Sequence, residues 1–127
     1  MHPNGELIRE GYEAFAKGDM DTIAGLFDDD IQWHAAGTSV ISGDFKGKAE
    51  VFGLFGKLLE LTEGTFSQEI HAILADDDHV VVISDSHQDK PKPFSGQTVF
   101  IWHVRDGKAV ECWAVPADQA AAAAAFD

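Results

Sequence analysis

Residues 95–116 read SGQTVFIWHVRDGKAVECWAVP, and this stretch decides the fold. Two runs with apolar residues at alternate positions flank Asp106-Gly107. An Asp-Gly pair in that setting is the sequence of a two-residue turn of the primed type. The stretch therefore predicts a β-hairpin, with strands over 95–105 and 108–115. Pro116 ends the second strand, because proline has no N–H for a central ladder. With a two-residue turn, Trp102 falls opposite Glu111 and Phe100 opposite Trp113. One face then carries Phe100, Trp102, Val104, Glu111, Trp113 and Val115. The other carries Ile101, His103, Arg105, Val110, Cys112 and Ala114. A bulge at the turn would scramble this assignment.

Upstream, the period of two continues. Thr65–Leu74 and His79–His87 read as strands joined by an Asp76-Asp77-Asp78 turn, and residues 89–93, with two prolines, are a loop. Before Gly64 the period is helical. Leu7, Ile8, Tyr12, Phe15 and Ala16 mark a first helix, stopped by Gly18; Asp19 caps a second over Met20–Phe27. Asp28-Asp29-Asp30 reads as a solvated turn and Ile31–His34 as a short strand ended by Gly37. Residues 36–47 form a loop or short hairpin. Lys48–Leu61 is a third helix, with Val51, Phe52, Phe55, Leu58 and Leu59 as its apolar stripe. Gly53 and Gly56 cost this helix about 1 kcal/mol each against alanine, which close packing on a sheet would offset. Asp118 caps an alanine-rich tail helix through Ala125.

Segregated helices and meandering strands indicate an α+β fold. The expectation is one domain over residues 1–127: a strongly bent antiparallel sheet with about three N-terminal helices on its concave side, enclosing a pocket.

The chain of 127 residues carries 22 acidic and 9 basic side chains, a formal net charge of −13. Nucleic acid and anionic membrane surfaces are excluded as partners, since both require clustered Lys and Arg. Hydrophobic residues make up 45% of the chain, so the charge does not signal disorder. The only cysteine is Cys112, which excludes an intrachain disulfide and suits a reducing compartment. The N-terminus shows no basic segment followed by an apolar one, and no apolar run reaches the roughly 20 residues of a membrane span. The expected location is the cytoplasm.

Gly18-Asp19 between two helices, Leu26-Phe27-Asp28-Asp29-Asp30, Trp33-His34 with Gly37, and the Arg105-Asp106-Gly107-Lys108 hairpin together resemble the nuclear transport factor 2-like superfamily. Within it the chain is most similar to the SnoaL-like branch, related to ketosteroid isomerases and polyketide cyclases. The resemblance covers essentially the whole chain. It implies a conical half-barrel whose open end admits small, mostly apolar molecules, and a homodimer. It leaves the activity open, because members include isomerases, cyclases, dehydratases, epoxide hydrolases and proteins that only bind. By this resemblance His34 falls where steroid isomerases keep their proton-shuttling carboxylate. Their oxyanion-stabilising tyrosine falls at Gly11; Tyr12 is adjacent, about 100° round the helix. Their neutral carboxylic acid falls near Phe100. Two of the three catalytic parts are missing, so a genuine 3-oxosteroid isomerase is not expected.

The residues themselves suggest a site. Phe100, Trp102, Trp113 and Glu111 on one hairpin face make an apolar pocket with one polar handle, the usual composition of a small-molecule site. A carboxyl buried there has a raised pKa and serves as acid or base. His34 takes and returns protons near neutral pH. Trp33 alternates with it, so only one of the two points fully inward. The expected catalytic residues are therefore His34 and Glu111, with Trp33, Phe100, Trp102 and Trp113 as substrate-binding walls. His103 with Cys112 forms a weaker pair without an orienting third group, and Asp85 and His87 share a strand face near the pocket mouth. No histidine or cysteine spacing suggests a metal site, and no phosphate-binding loop is present; no cofactor is expected. Three functions fit: a cofactor-free enzyme moving a proton on a small hydrophobic carbonyl compound, a non-catalytic binder of a small apolar or aromatic molecule, and a dimeric interaction module.

Overall fold

The computed structural model describes residues 2–127. Helix α1 spans Pro3–Lys17 and α2 Met20–Leu26. Proline opens α1, where its missing N–H costs nothing, and the His2 ring accepts from the Asn4 N–H at 3.1 Å. Gly18 ends the helix in the left-handed region at φ 73°, its N–H turned back to Ala14 and Phe15. Asp19 caps α2 by accepting from the Thr22 N–H. Both helix ends thus lie where the sequence places them.

Strand β1 runs Phe27–Ala35, β2 Gly43–Lys46, helix α3 Lys48–Leu61, β3 Ser67–Ala75, β4 His79–Gln88, β5 Phe94–Arg105, β6 Lys108–Pro116, and helix α4 Gln119–Ala124. The six strands form one curved, unclosed sheet in the order β2-β1-β6-β5-β4-β3. Four of the five pairings are antiparallel; β1 and β6 run parallel. A wholly antiparallel sheet is corrected on this point. Strands β1 and β6 are separated by α3 and the whole meander, so no hairpin dictates their sense. Asp28–Asp30 is not a turn either. These residues lie inside β1, where the ladder to β6 shifts register between Phe27 and Gln32. The Asp28 carboxylate accepts from the Asp30 N–H, and Asp29 pairs with Lys48 at 3.0 Å.

Ile31, Val51, Val80 and Val82 are fully excluded from solvent where α3, β1 and β4 meet the helices. Each such burial stabilises the fold by about 1.5–3 kcal/mol. Around them the aromatic rings pack edge to face: Trp33 on Phe55 at 5.2 Å, Trp33 on Trp102 at 5.4 Å, Phe15 on Phe55 at 5.4 Å. Gly53 and Gly56 do not pack closely on anything. Both are exposed, and a Cβ added at either meets no atom within 4 Å. The expected packing compensation is absent. The tail helix α4 does dock: Asp118 caps it, Ala125 is buried, and Gln88 donates its amide to the Ala125 carbonyl.

Candidate functional site

The last hairpin turns at Asp106-Gly107, both at positive φ (51° and 73°), as a primed turn requires. Arg105 pairs with Lys108 and Val104 with Ala109, but His103 then pairs with Glu111. Val110 is the extra residue of a bulge. Beyond it every side chain of β6 changes face relative to a regular ladder. Trp102 therefore stands opposite Cys112 rather than Glu111, and Phe100 opposite Ala114 rather than Trp113. Phe100, Trp102 and Val104 face inward as expected. Glu111, Trp113 and Val115 do not; they lie on the outer face with Ile101 and His103. The bulge is the physical reason for the correction.

The inward face encloses two adjoining cavities. The inner one, about 90 Å³, lies under α1, with Tyr12, Phe15, Trp33, Phe66, Gln68 and Trp102 among its walls. The outer one, about 140 Å³, lies between the 36–42 loop, β5 and α4, and reaches Gln88 and Gln119. Trp33, Phe55, Leu58, Phe66 and Phe100 line both. These five side chains are the partition between them. No acid, histidine, lysine, arginine or cysteine lines either cavity. The one ionisable group there is the Tyr12 phenol. Burial pushes its pKa well up, Cys112 adds to the shift, and the hydrogen bond from Trp102 opposes it.

Polar contacts in the cavity are few. The Trp102 Nε1–H donates to the Tyr12 hydroxyl at 3.3 Å. The Ser84 hydroxyl, fully buried, donates to the Gln68 side-chain carbonyl at 3.1 Å. Tyr12 is the cavity residue that sequence reasoning passes over. Counted from Gly11 it turns away, but the cavity-facing arc of α1 is wide enough to include Leu7, Ile8, Gly11, Tyr12 and Phe15. The stripe Ile8–Tyr12–Phe15 was the available signal.

Alternation along β1 sends Trp33 inward, 6% exposed, and His34 outward. His34 and Glu111 do meet, but on the outer face of the sheet. The His34 ring contacts Glu111 Oε2 through Nε2 and Asp44 Oδ1 through Nδ1, both at 2.7 Å. The ring stacks on Trp113 at 5.2 Å and 26°. His103 lies 3.8 Å from the other Glu111 oxygen and stands edge-on to Trp113 at 4.9 Å. The hydrogen bond to Asp44 raises the His34 pKa, partial burial lowers it, and the Glu111 bond raises it further; the net direction is up. Of the expected residues, Trp33, Phe100 and Trp102 are gathered at the cavities, and His34, Glu111 and Trp113 on the opposite face.

Cys112 and His103 stand apart. Cys112 is fully buried, with its thiol pKa pushed up by burial, and His103 is on the outer face. Asp85 is bonded by Gln97, and His87 by Ser95 and Asp89, and all five residues are exposed. Among the described residues no three His, Cys, Asp or Glu converge to hold a metal ion, and no helix is long and apolar enough to cross a membrane.

The chain is similar over 98% of its length to Bal32a, a protein from a soil-derived mobile gene cassette, at 31% identity and a TM-score of 0.93, covering 96% of that chain. An NTF2-like protein from Burkholderia xenovorans shares the fold at 20% identity and a TM-score of 0.81, over 96% of this chain and 94% of that one. An uncharacterized protein of Mycobacterium tuberculosis is 26% identical over 77 residues, 61% of this chain. The match spans about three-fifths (59%) of that relative's length. The family model of the SnoaL-like domain matches residues 8–112. With its six-stranded open sheet and its helices in this arrangement, the chain belongs to the SnoaL-like family.

Proposed function

We propose that this protein binds a small apolar molecule, of about one aromatic ring, in the divided cavity, without chemically transforming it. The observation that carries this reading is the composition of the cavity wall. Aromatic and aliphatic side chains dominate the inner lobe, serine, threonine and glutamine side chains join them in the outer one, and none of the lining residues is an acid, histidine, lysine, arginine or cysteine. A proton-moving enzyme places a base within hydrogen-bond reach of its substrate, and the only ionisable group at hand is a phenol held neutral by burial. The size fits as well. A cavity of about 150 Å³ holds one benzene. The inner lobe is smaller than that and the outer one close to it.

The proton-transfer reading keeps one observation in its favour. His34 and Glu111 touch at 2.7 Å, so a proton can pass between them. Its substrate would then lie on the outer face of the sheet, against Trp113, rather than in the cavity.

Acetophenone in D₂O separates the two readings. Its methyl protons exchange when a base removes one. The binding reading expects saturable shifts of amide resonances in α1 and β5, and exchange no faster than in buffer. Accelerated exchange that vanishes in His34→Ala overturns it, as does the absence of any saturable shift.

A further inference from the structure

We propose that His79 and His103 are half of a zinc site, completed by the same pair of a second copy of the chain. The two residues stand directly opposite each other in the ladder of β4 with β5. Alternation turns both outward, since Val80, Trp102 and Val104 beside them are buried. Their side chains are 48% and 38% exposed. They are the one pair of imidazoles in ring contact among the described residues, with centroids 4.7 Å apart at 78°. Two imidazoles on one tetrahedral ion, each at about 2.0–2.1 Å, have centroids about 5 Å apart. The pair thus stands near the spacing of two ligands on one metal.

The nitrogens are sorted as well. His79 Nδ1 lies 3.2 Å from Asp76 Oδ1, and His103 Nδ1 faces Glu111 Oε1 at 3.8 Å. Neither Nε2 has a partner among the described residues. A carboxylate behind Nδ1 favours the tautomer whose Nε2 is free to bind and makes that nitrogen more basic, as behind metal-bound histidines. Imidazole donors suit zinc, copper and nickel rather than magnesium or calcium. One chain supplies two ligands, and no third His, Cys, Asp or Glu among the described residues converges with them. A structural zinc takes four.

The other two come from the face on which the pair stands. Beside it Val81, Ile101 and Trp113 form one cross-strand row, and Ile83, Val99 and Val115 the next. None of the six belongs to the core or packs against it, and none lines either cavity. Outward side chains on the sheet number about twenty, as many as a standard interface engages on each side. A two-fold axis parallel to the strands, between β4 and β5, lays this face on its own copy. Val81 then meets Ile101, Ile83 meets Val99, and Asp85 meets Gln97, the same amide–carboxylate pair that bonds within one chain. The same axis sets His79 over His103. Facing sheets lie about 10 Å apart, a gap that imidazoles enter from both sides, so four Nε2 atoms surround one ion. Two chains of charge −13 repel each other, and a divalent cation held there offsets part of that repulsion.

Tag-free protein stripped with EDTA and titrated with zinc chloride tests this, by calorimetry and sedimentation velocity. One zinc should bind per two chains. The dimer should form, or its dissociation constant fall at least about tenfold, and EDTA should reverse the change. His79→Gln and His103→Gln alter part-exposed side chains, and circular dichroism checks that each variant is folded. Each should weaken zinc binding at least about tenfold, the least that loss of an outer-shell partner costs. His87→Gln, at the far end of β4, should bind zinc as the wild type does. Zinc bound one per chain with no change in sedimentation overturns the proposal. So does equal binding by His103→Gln, and so does the absence of binding at micromolar zinc.

Discussion

The contact of one imidazole with two carboxylates on the outer face makes a pH prediction. His34 reaches Asp44 and Glu111 at 2.7 Å each. A neutral imidazole has one N–H and can donate to only one of them; the other contact would set a ring lone pair against a carboxylate oxygen. The imidazolium donates to both, so the geometry is that of the charged ring. Its pKa in the folded chain lies above the ordinary value, with the Asp44 bond the largest cause. In the unfolded chain it returns to about 6.5. The clasp therefore stabilises the fold fully below about pH 6.5, and this contribution is lost as pH rises through the higher folded-state value.

The magnitude follows from exposure. The Asp44 side chain is 84% exposed, so its bond is worth about 0.5 kcal/mol. Glu111 and His34 are about one quarter exposed, and a charge-assisted bond between them is worth about 1.5 kcal/mol. Together they give about 2 kcal/mol. His34→Gln keeps a polar side chain and removes the titration. Urea unfolding at about pH 5.5 and about pH 9 should show wild type losing about 2 kcal/mol more than the variant, a midpoint difference of about 1 M. The histidine–carboxylate pairs that share no group with His34, His79 with Asp76 and His87 with Asp89, are present in both proteins and cancel. Parallel changes in the two proteins would refute the argument.

Three further outcomes are expected. Gly53→Ala and Gly56→Ala should each stabilise the protein by about 0.5–1 kcal/mol, because both sites are helical, exposed and open around the new methyl; unchanged or lower melting temperatures would show a contact that the geometry does not contain. Cys112, fully buried with a raised thiol pKa, should resist iodoacetamide in the native protein and react on unfolding; rapid native labelling would count against the packing of β6. Phe100→Ala removes a ring from the partition, so it should cost about 3 kcal/mol in stability and still tighten binding of a two-ring ketone such as 2-acetonaphthone, measured by titration.

The fold was largely legible because its signals are local. A capping aspartate after a left-handed glycine, an Asp-Gly turn at positive φ and two distinct periodicities each act within a few residues. They place the end of α1, the helices α2 and α3 and the last four strands within one or two residues of where they lie, while α1 begins at Pro3, four residues before the first apolar position that marked it. What was not legible is non-local. The parallel pairing of β1 with β6 joins segments about 80 residues apart, and nothing near Asp28–Asp30 announces that these acids continue a strand. The two helix glycines show the converse error. Their cost is local and real, but the compensation expected for it would have to come from a neighbour, and none is there.

The site turned on a single residue. Before the bulge at Val110 the alternation of β5 sends Phe100 and Trp102 into the cavity, and this much follows from the sequence. After it, the same alternation carried across the turn puts Glu111 on the wrong side. A one-residue shift in a ladder exchanges the two faces of a strand. Moving one carboxylate from the inside to the outside is enough to change the chemistry available in the cavity. With Glu111 inside, an apolar pocket beside an acid would favour proton transfer. With Glu111 outside, that acid joins His34 and Asp44 in a surface clasp, and the inner lobe keeps Tyr12, Trp33, Gln68 and Trp102 as its polar side chains. The bulge at Val110 thus takes the one carboxylate of the hairpin off the inner face and leaves the cavity wall without an ionised group.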